Sequence, residues 1–325
     1  MKKSLLLFLL AFLISFSGCS HSPISNEFFA MNTVMKITLY DGDDNRMEQA
    51  IQEVIRLENL LSVTKPNSDI TKANQNGGAA TSLSQETISL LQTAKQFSKE
   101  TNGLFDITVY PAVKAWGFTG EENRVPKAEE LTALLPLLDS DAIVIQENTI
   151  TLKEGMEMDL GGIAKGYAAD KVATLLEQNG CTGGILSFGG NVKTIGTKPN
   201  GSLFQVAVQD PNNTSNTLGT LAVNGNIAVV TSGDSQRYFE KDGVKYHHIL
   251  DPRTAAPAKS DVSSVTVVCS SATRADAFAT ALYIMGLEEG LAFVNQKEDL
   301  EALFVTKQGK ISVSKGLQNT FTSNK

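Results

Sequence analysis

The stretch that decides the fold is residues 159–170, which read D-L-G-G-I-A-K-G-Y-A-A-D. Apolar residues alternate over 156–160 and predict the edge of a strand, while residues 163–179 predict a helix. Gly161 and Gly162 have no Cβ, so the backbone can approach another group closely there. The first amides of a helix lack intrahelical partners and favour anions. A strand that is followed by a glycine turn and then by the start of a helix therefore predicts a phosphate-binding turn.

Two common nucleotide-binding motifs are excluded at this turn. The spacing Gly161-x4-Gly166 is followed by Tyr167, where a Walker A loop requires Lys. No G-x-G-x-x-G occurs here, so a dinucleotide-binding Rossmann turn is not supported. A glycine turn that is simply packed inside an α/β core remains an alternative interpretation.

The first residues are typical of an exported lipoprotein. Lys2 and Lys3 precede an apolar run at 5–14, which is too short for a transmembrane helix and suits a signal peptide. The segment before Cys19 resembles a bacterial lipobox, with cleavage before this cysteine and lipid attached to its sulfur. We expect a signal peptide at 1–18, a lipid-anchored tether at 19–27 and the folded domain at 28–325. The protein would then sit on the extracytoplasmic face of a bacterial membrane (periplasmic in a Gram-negative cell), unless the segment is an ordinary secretory signal.

The net charge argues against a nucleic-acid-binding protein, and the cysteine content argues against a redox pair. The chain carries 28 basic and 35 acidic residues, a formal net charge of −7. An acidic chain without a basic stripe is a poor nucleic-acid binder, so we expect no nucleic-acid partner. A polyphosphate ligand would need a metal or a few well-placed cations. Cys181 and Cys269 form no C-x-x-C motif, which favours buried free thiols over a redox pair.

Hydrophobic periodicity predicts interspersed strands and helices, with hairpins dominating the second half. Strands are predicted at 29–40, 184–188, 204–209 and 262–269, hairpins at 142–152, 218–231, 238–250 and 303–313, and helices at 47–61, after Ser82, at 131–138 and at 272–285. This is an α+β pattern and not a doubly wound sheet. The single tryptophan, Trp116, lies in a loop-rich part and is favoured as a core residue.

Two pairs of polar residues have spacings that bear on a metal site. His247 and His248 are adjacent on a predicted strand and point to opposite faces, which argues against a metal pair. Asp276 and Thr280 are spaced i, i+4 on a predicted helix and share a face. Their hard oxygen atoms suit Mg²⁺. The alternative for Asp276 is an exposed helical carboxylate, but its alanine neighbours favour close packing.

Seven motifs in the chain resemble those of the ApbE family, the FAD:protein FMN transferases. They are Met31-Asn32-Thr33, Gly103-x-Phe105-Asp106 with Trp116-Gly117-Phe118, residues 159–170, Ser187-Phe188-Gly189-Gly190-Asn191, Thr231-Ser232-Gly233-Asp234-x-x-Arg237-Tyr238, His248-Ile249-Leu250-Asp251-Pro252-Arg253-Thr254 and Ala275-Asp276-Ala277-x-Ala279-Thr280. They follow the family order and span nearly the whole mature chain. The resemblance implies a T-fold-related domain, compact and two-lobed, with mixed helices and largely antiparallel sheets.

The resemblance also implies an activity. Such proteins use Mg²⁺ to transfer FMN from FAD to a threonine or serine hydroxyl of an acceptor flavoprotein, and they release AMP. The acceptor carries a [Ser/Thr]-Gly-Ala-[Ser/Thr] motif, as in a membrane redox-complex subunit or an exported FMN-binding protein. The implied metal ligands are Asp276, Thr280 and the Gly162 carbonyl. The implied flavin- or adenosine-contacting residues are Met31, Leu104, Phe105, Asp106, Asp159, Lys165 and Leu250.

His248 is the candidate base for the acceptor hydroxyl, because an unperturbed imidazole titrates near neutrality. Asp276 is the second candidate catalytic residue, through the metal, and Asp251 is the alternative base. The chain departs from the family pattern at three positions. Asn32 and Ala255 stand where glycine is usual, and Thr64 stands where an aromatic residue is frequent.

Three other functions are compatible with the same pocket. The chain could bind FAD as a lipoprotein without chemistry, or hydrolyse FAD to FMN and AMP as a pyrophosphatase. It could also be a flavin-carrying acceptor itself, but the nearest segment, residues 270–273, has Ser where the acceptor motif has Gly. The intact Asp276 and Thr280 pair favours the transferase.

Overall fold

The computed structural model describes residues 22–120 and 122–324. The expected signal peptide and Cys19 lie outside the described residues. Within these ranges the α-helices are α1 (Asp44–Leu61), α2 (Asp69–Gln75), α3 (Gln85–Glu100), α4 (Tyr110–Ala115), α5 (Ala128–Leu134), α6 (Ala164–Gln178), α7 (Ala272–Met285) and α8 (Leu287–Val294), with 3-10 turns at Leu135–Leu137, Ser140–Ala142 and Lys315–Leu317. None of the helices in the described ranges has the length and apolarity to span a membrane.

The strands of the same ranges fall into one large sheet and several small ones. They are β1 (Ile24–Ala30), β2 (Thr33–Leu39), β3 (Thr81–Ser82), β4 (Val144–Gln146), β5 (Thr149–Thr151), β6 (Gly183–Phe188), β7 (Asn191–Gly196), β8 (Phe204–Asp210), β9 (Asn213–Val223), β10 (Ala228–Gly233), β11 (Tyr238–Lys241), β12 (Val244–His247), β13 (Leu250–Asp251), β14 (Ala256–Pro257), β15 (Val262–Cys269), β16 (Glu301–Thr306), β17 (Ile311–Val313) and β18 (Phe321–Ser323).

The large sheet has eight strands in the order β1-β2-β6-β7-β10-β15-β16-β17, and every neighbouring pair is antiparallel. Helices α6 and α7 pack against each other and against β7 and the β10–β15 pair. On the other face, the β18-β9-β8 sheet covers the central strands with a second apolar core that includes Phe204 and Val305. The expected α+β architecture with largely antiparallel sheets is confirmed.

Helices α6 and α7 each bind a carboxylate of the other at their first turn. Asp170 of α6 accepts hydrogen bonds from the backbone N–H groups of Ala272 and Thr273, both at 2.9 Å. In return, Asp276 of α7 accepts one from the Gly166 N–H at 2.9 Å. Anions are favoured at helix N-termini, so each carboxylate stabilises the start of the opposite helix. The close approach requires glycine, because a Cβ at Gly166 would lie 2.2 Å from the Ala272 carbonyl oxygen.

Several local predictions are confirmed. The predicted helix at 272–285 is α7 and the predicted strand at 262–269 is β15. Trp116 is 3% exposed and its indole N–H donates to the Ala255 carbonyl oxygen at 2.8 Å, so it is a core residue. Cys181 and Cys269 are buried free thiols.

The single strand predicted over residues 29–40 is wrong. This segment lies in two antiparallel strands, β1 and β2, joined at Met31 and Asn32. Both turn residues have positive φ, 47° and 60°. The turn pair Met31-Asn32 does not match the common Asn-Gly turn signal. The alternation of apolar residues also continues through the turn, so the sequence pattern does not reveal it. β1 begins at Ile24, inside the segment expected to be the tether.

The hairpin predicted at residues 218–231 is also wrong. β9 pairs with β8 and β18, whereas β10 pairs with β7 and β15, so the turn at Gly225 joins two different sheets. The Gly225 N–H donates to the Gly196 carbonyl oxygen at 3.1 Å and holds the turn against the end of β7. A turn signal predicts a reversal of the chain but not which strands then pair.

Two shorter predictions need correction. Residues 156–160 form no strand, because the amide side chain of Asn74 bonds both the N–H and the carbonyl of Met158, each at 2.8 Å. This amide takes the place of a strand neighbour. Helix α3 is capped by Ser84 and not by Ser82, since the Ser84 hydroxyl accepts from the Thr87 N–H.

Candidate active site

The three expected metal ligands meet where α6 begins beside α7. A Cβ at Gly162 would lie 3.7 Å from the Thr280 hydroxyl oxygen and 3.3 Å from the ring of Phe105. Asp276 lies one turn before Thr280 on α7, is 4% exposed and bonds the start of α6. The carbonyl-bearing glycine turn, the hydroxyl and the carboxylate therefore share one corner of the molecule.

Lys165 places a positive charge at the same corner. Its ammonium group donates to the Gly161 carbonyl oxygen at 3.0 Å and lies 3.9 Å from a carboxylate oxygen of Asp276. The side chain is 24% exposed, so its tip can still reach a ligand from solvent. A phosphate placed over the glycine turn would find this cation beside it.

The oxygen groups at this corner fit Mg²⁺ held together with a phosphate ligand. Within the described ranges, no group of three or more His, Cys, Asp and Glu side chains is placed to hold a metal ion. The corner offers one carboxylate, one hydroxyl and one backbone carbonyl. Mg²⁺ in phosphoryl-transfer sites is commonly held by one or two carboxylates together with substrate phosphates and water. This donor set suits that pattern and leaves room for substrate oxygen atoms.

Asp159 ties the glycine turn to the neighbouring loop. Its carboxylate accepts from the Gly161 N–H at 2.9 Å, and its own N–H donates to the Ile107 carbonyl oxygen at 2.8 Å. Burial raises the pKa of Asp159, while the charges of Lys165 and Arg237 act in the opposite direction. Both cations therefore lie close enough to influence this carboxyl group.

The loop at 104–108 is held from inside by Asp106. Its carboxylate accepts four hydrogen bonds, from the N–H and hydroxyl of Thr108 and from the N–H and hydroxyl of Ser140. Four bonds match the acceptor capacity of a carboxylate. Asp106 therefore shapes the loop, and Leu104 and Phe105 are buried beside it. The structure brings Phe105 against the glycine turn.

His248 is held by the backbone carbonyl of Arg237. That oxygen accepts from the His248 N–H at 3.0 Å and lies 3.1 Å from the ring Nδ1. A carbonyl oxygen can only accept, so Nδ1 carries the proton and Nε2 presents its lone pair. Burial, together with the nearby charges of Lys165 and Arg237, lowers the pKa of His248 to about 4. This pKa lies below the unperturbed imidazole value on which the choice of His248 as the candidate base was based.

The alternative base, Asp251, is already occupied. Arg253 bonds both carboxylate oxygens through its guanidinium at 2.8–3.2 Å and one of them through its N–H at 2.9 Å. Leu250 is buried and packs in the cluster that contains Trp116. These contacts make the Leu250–Asp251 segment a support for the site wall.

The two residues that stand where the family usually has glycine both adopt the positive φ that favours glycine. Asn32 has φ 60° and Ala255 has φ 53°. Asn visits this region readily, whereas Ala does so at a cost. Met31 beside Asn32 donates its N–H to Glu58 at 3.1 Å, which anchors the β1–β2 turn to α1.

Two functional supports were missed by sequence reasoning. Asp170 belongs to the quoted 159–170 motif and binds the start of α7, where it also accepts from the hydroxyl of the capping residue Ser271, but no local pattern relates it to that distant helix. Arg237 holds the His248 ring through its backbone carbonyl, and its charge also helps to lower the pKa of that ring. No sequence signal reports a backbone contact of that kind.

The chain matches proteins of known type over most of its length. The ApbE family model matches residues 31–304. An "FAD:protein FMN transferase" from Klebsiella pneumoniae is 35% identical over 289 residues, covering 87% of this chain and 89% of that protein. An ApbE protein from Thermotoga maritima has a crystal structure with TM-score 0.87 and 32% identity, covering 92% of this chain and 99% of that one. The Pseudomonas stutzeri flavinyl transferase ApbE matches with TM-score 0.82 and 27% identity, covering 94% and 98%.

Proposed function

This chain belongs to the ApbE family and is a transferase enzyme, and we propose that it transfers the FMN moiety of FAD to a threonine or serine hydroxyl of an acceptor flavoprotein, releasing AMP. The relatives are named as FAD:protein FMN transferases, which supports FAD as the substrate. The acceptor would carry a [Ser/Thr]-Gly-Ala-[Ser/Thr] motif, as in a membrane redox-complex subunit or an exported FMN-binding protein.

The observation that carries the proposal is the convergence of oxygen ligands and a cation at the α6–α7 corner. Gly162, Thr280, Asp276 and Lys165 come from two helix turns more than one hundred residues apart in the chain. A pyrophosphate would meet Lys165 directly, and Asp276, Thr280 and the Gly162 carbonyl would hold Mg²⁺. These residues would place the ion where it would neutralise the charge that grows on the leaving phosphate.

His248 is proposed to move the proton. As the acceptor hydroxyl oxygen attacks the FMN phosphorus, Nε2 of His248 accepts the hydroxyl proton. The bond between that phosphorus and the bridging oxygen breaks, and AMP leaves with the electron pair. The product is a phosphoester between FMN and the acceptor side chain. The Nδ1–H bond to the Arg237 carbonyl keeps Nε2 available as the acceptor.

A single assay tests the proposal. The protein without its first 19 residues is mixed with FAD, Mg²⁺ and an acceptor domain carrying the motif, and the acceptor is then denatured. Flavin fluorescence that remains on the denatured acceptor, with one AMP formed per flavin, is the expected result. AMP formation without labelled acceptor would indicate FAD hydrolysis, and FAD binding without AMP would indicate a binding protein. Either outcome would contradict the transferase proposal.

We also propose that Cys19 is lipidated and anchors the enzyme outside the cytoplasm, as the sequence around it suggests. β1 begins at Ile24, so a short linker would hold the folded domain close to the bilayer. Metabolic labelling with a radioactive fatty acid tests this proposal. Label is expected on the wild type and not on Cys19→Ala, and equal labelling of both would exclude Cys19 as the anchor.

A further inference from the structure

A buried polar chain lies behind the end of β12, directly before His248. Nε2 of His247 lies 3.2 Å from the Ala258 carbonyl oxygen and 3.3 Å from the hydroxyl of Tyr283. The Tyr283 hydroxyl donates onward to Asp234 at 3.4 Å, and Asp234 pairs with Lys245 at 2.9 Å. Because a carbonyl oxygen only accepts, Nε2 of His247 carries the proton.

This arrangement leaves one polar atom without a partner. Nδ1 of His247 is buried and makes no hydrogen bond, although the residue is only 6% exposed. Burying an unpaired acceptor costs free energy, and an apolar side chain would avoid that cost. Burial also lowers the pKa of His247, which keeps its ring neutral. The ring is therefore placed for what its Nε2–H group holds and not for apolar packing alone.

The Tyr283 partner of His247 connects the neighbour of the proposed base to the helix of the proposed metal ligands. Asp276, Thr280 and Tyr283 are spaced i, i+4, i+7 on α7 and so lie along one face of that helix. His247 is the last residue of β12, and His248 follows it directly with its N–H bonded to the Arg237 carbonyl oxygen at 3.0 Å. The His247 ring contacts Tyr283 on the helix of Asp276 and Thr280, and the charge of Lys165 helps to lower the pKa of the His248 ring, which places that ring near the same corner.

We propose that His247 and Tyr283 are positioning residues that set the placement of His248 relative to Asp276 and Thr280. This inference rests on the proposed function. Phe239 and Tyr246 pack the β11–β12 hairpin against Trp116, whereas Tyr238, which pairs with His247, is 47% exposed. The His247–Tyr283 contact fixes the end of that hairpin to α7. A displacement of about 1 Å in a reacting group can cost up to about a hundredfold in rate.

The test removes the contact from either side. His247→Leu keeps the volume and removes the donor, and is expected to lower kcat for FMN transfer about tenfold while KM for FAD changes less than about twofold. His247→Gln can restore an N–H at the Nε2 position and is expected to recover most of the rate. Tyr283→Phe removes one oxygen atom and is expected to lower kcat in the same direction. The double variant should fall no further than His247→Leu, because both changes break one contact.

Phe204→Leu is the matched control, because Phe204 is fully buried in the second core, away from α7. It should lower Tm without lowering kcat. The inference is overturned if kcat and KM of His247→Leu change only in proportion to its loss of Tm. It is equally overturned if His247→Gln gives no recovery.

A second measurement keeps this test separate from the test of the transferase activity. NMR titration of the His248 ring needs no acceptor, and Tyr283→Phe is expected to move its pKa from about 4 towards the ordinary value as the strand loosens. An unchanged titration overturns the positioning role, whether or not the wild type transfers FMN. A wild type that fails to transfer FMN contradicts the proposed function alone.

Discussion

The site has two halves that are built in different ways. The oxygen ligands lie at the crossing of α6 and α7, where each helix start binds a carboxylate of the other. The proposed base lies at the end of the β11–β12 hairpin, where the Arg237 carbonyl and the buried His247 hold it. The first half is fixed by the core of the protein. In the second half the hairpin itself packs on Trp116 through Phe239 and Tyr246, but its two histidines are held by a few hydrogen bonds, so small changes at them can alter the reaction without unfolding the chain.

The two halves differ in whether the same residue serves both stability and the proposed chemistry. At the helix crossing, there is no space for a side chain at Gly166. The carboxylate of Asp276 both accepts a hydrogen bond from the start of α6 and is a proposed metal ligand. Stability and function are coupled in that residue. At the hairpin, His248 performs the proposed chemistry while His247 provides the support, so the two roles lie on separate residues.

The largest expected effect comes from Asp276→Asn. The amide oxygen can still accept from the Gly166 N–H, so the helix crossing should remain, but the negative charge for Mg²⁺ is lost. We expect FMN transfer to fall at least about a thousandfold, since both metal binding and leaving-group neutralisation are weakened. Transfer is measured by acceptor fluorescence and Mg²⁺ dependence by titration into metal-free protein. Transfer at the wild-type rate in chelator would exclude the metal role.

His248→Asn should have the second largest effect. Removing a general base costs about a hundredfold or more in rate, whereas the ground-state contacts to FAD lie elsewhere in the site. We expect kcat to fall by this amount and the Kd for FAD to remain within about twofold, measured by flavin fluorescence quenching. Equal rates for variant and wild type would place the base elsewhere. His247 is unsuitable as an inert control, because it is buried and bonded.

The sequence predicted the first half of the site better than the second. The α7 pattern is local, since alanines allow close packing and Ser271 caps the helix start, and its bounds were predicted correctly. The grouping of Gly162 with Asp276 and Thr280 came from the family resemblance, because no local pattern reports a crossing of two distant helices. The contact at Gly166 leaves no room for a Cβ, which explains why a glycine stands at this position of the 159–170 motif.

The second half depends on contacts between distant residues, which sequence patterns do not report. The β11–β12 hairpin was predicted from its Asp242-Gly243 turn, and the pairing confirms it. The lowered pKa of His248 follows from burial and from Lys165, which lies on another element. The same limit explains the hairpin wrongly predicted at 218–231, where the turn was recognised but the strand partners were not.

Asp170→Asn should separate stability from function at the helix crossing. Asp170 binds the start of α7 and pairs with the buried Lys193 at 3.2 Å, but it contacts none of the proposed ligands. Leaving the Lys193 charge unpaired should lower the free energy of unfolding by about 2 kcal/mol. Transfer well below Tm should change less than about threefold. A loss of transfer as large as that of Asp276→Asn would show that both carboxylates serve the reaction.

The smallest expected effect is that of mild acid on the wild type. The imidazole accepts a proton only when it is neutral, and burial together with the charges of Lys165 and Arg237 lowers the pKa of His248 to about 4. At pH 5.5 about 97% of such rings remain neutral, whereas a ring with the ordinary pKa would be about 90% protonated. We therefore expect kcat to change little between pH 8 and pH 5.5 and to fall only near pH 4.

The stability of the folded protein also depends on pH over the range in which kcat is measured. His247 and His248 both have lowered pKa values in the folded protein, so the unfolded chain binds more protons below the ordinary histidine pKa. Stability should therefore fall as the pH drops from about 6.5 towards 4, and Tm is measured at each pH to exclude unfolding. The acid limb should be missing from the residual activity of His248→Asn. An approximately tenfold loss by pH 5.5 in folded wild type would mean that the base titrates at the ordinary value, and the hairpin would then leave His248 open to solvent in the working enzyme.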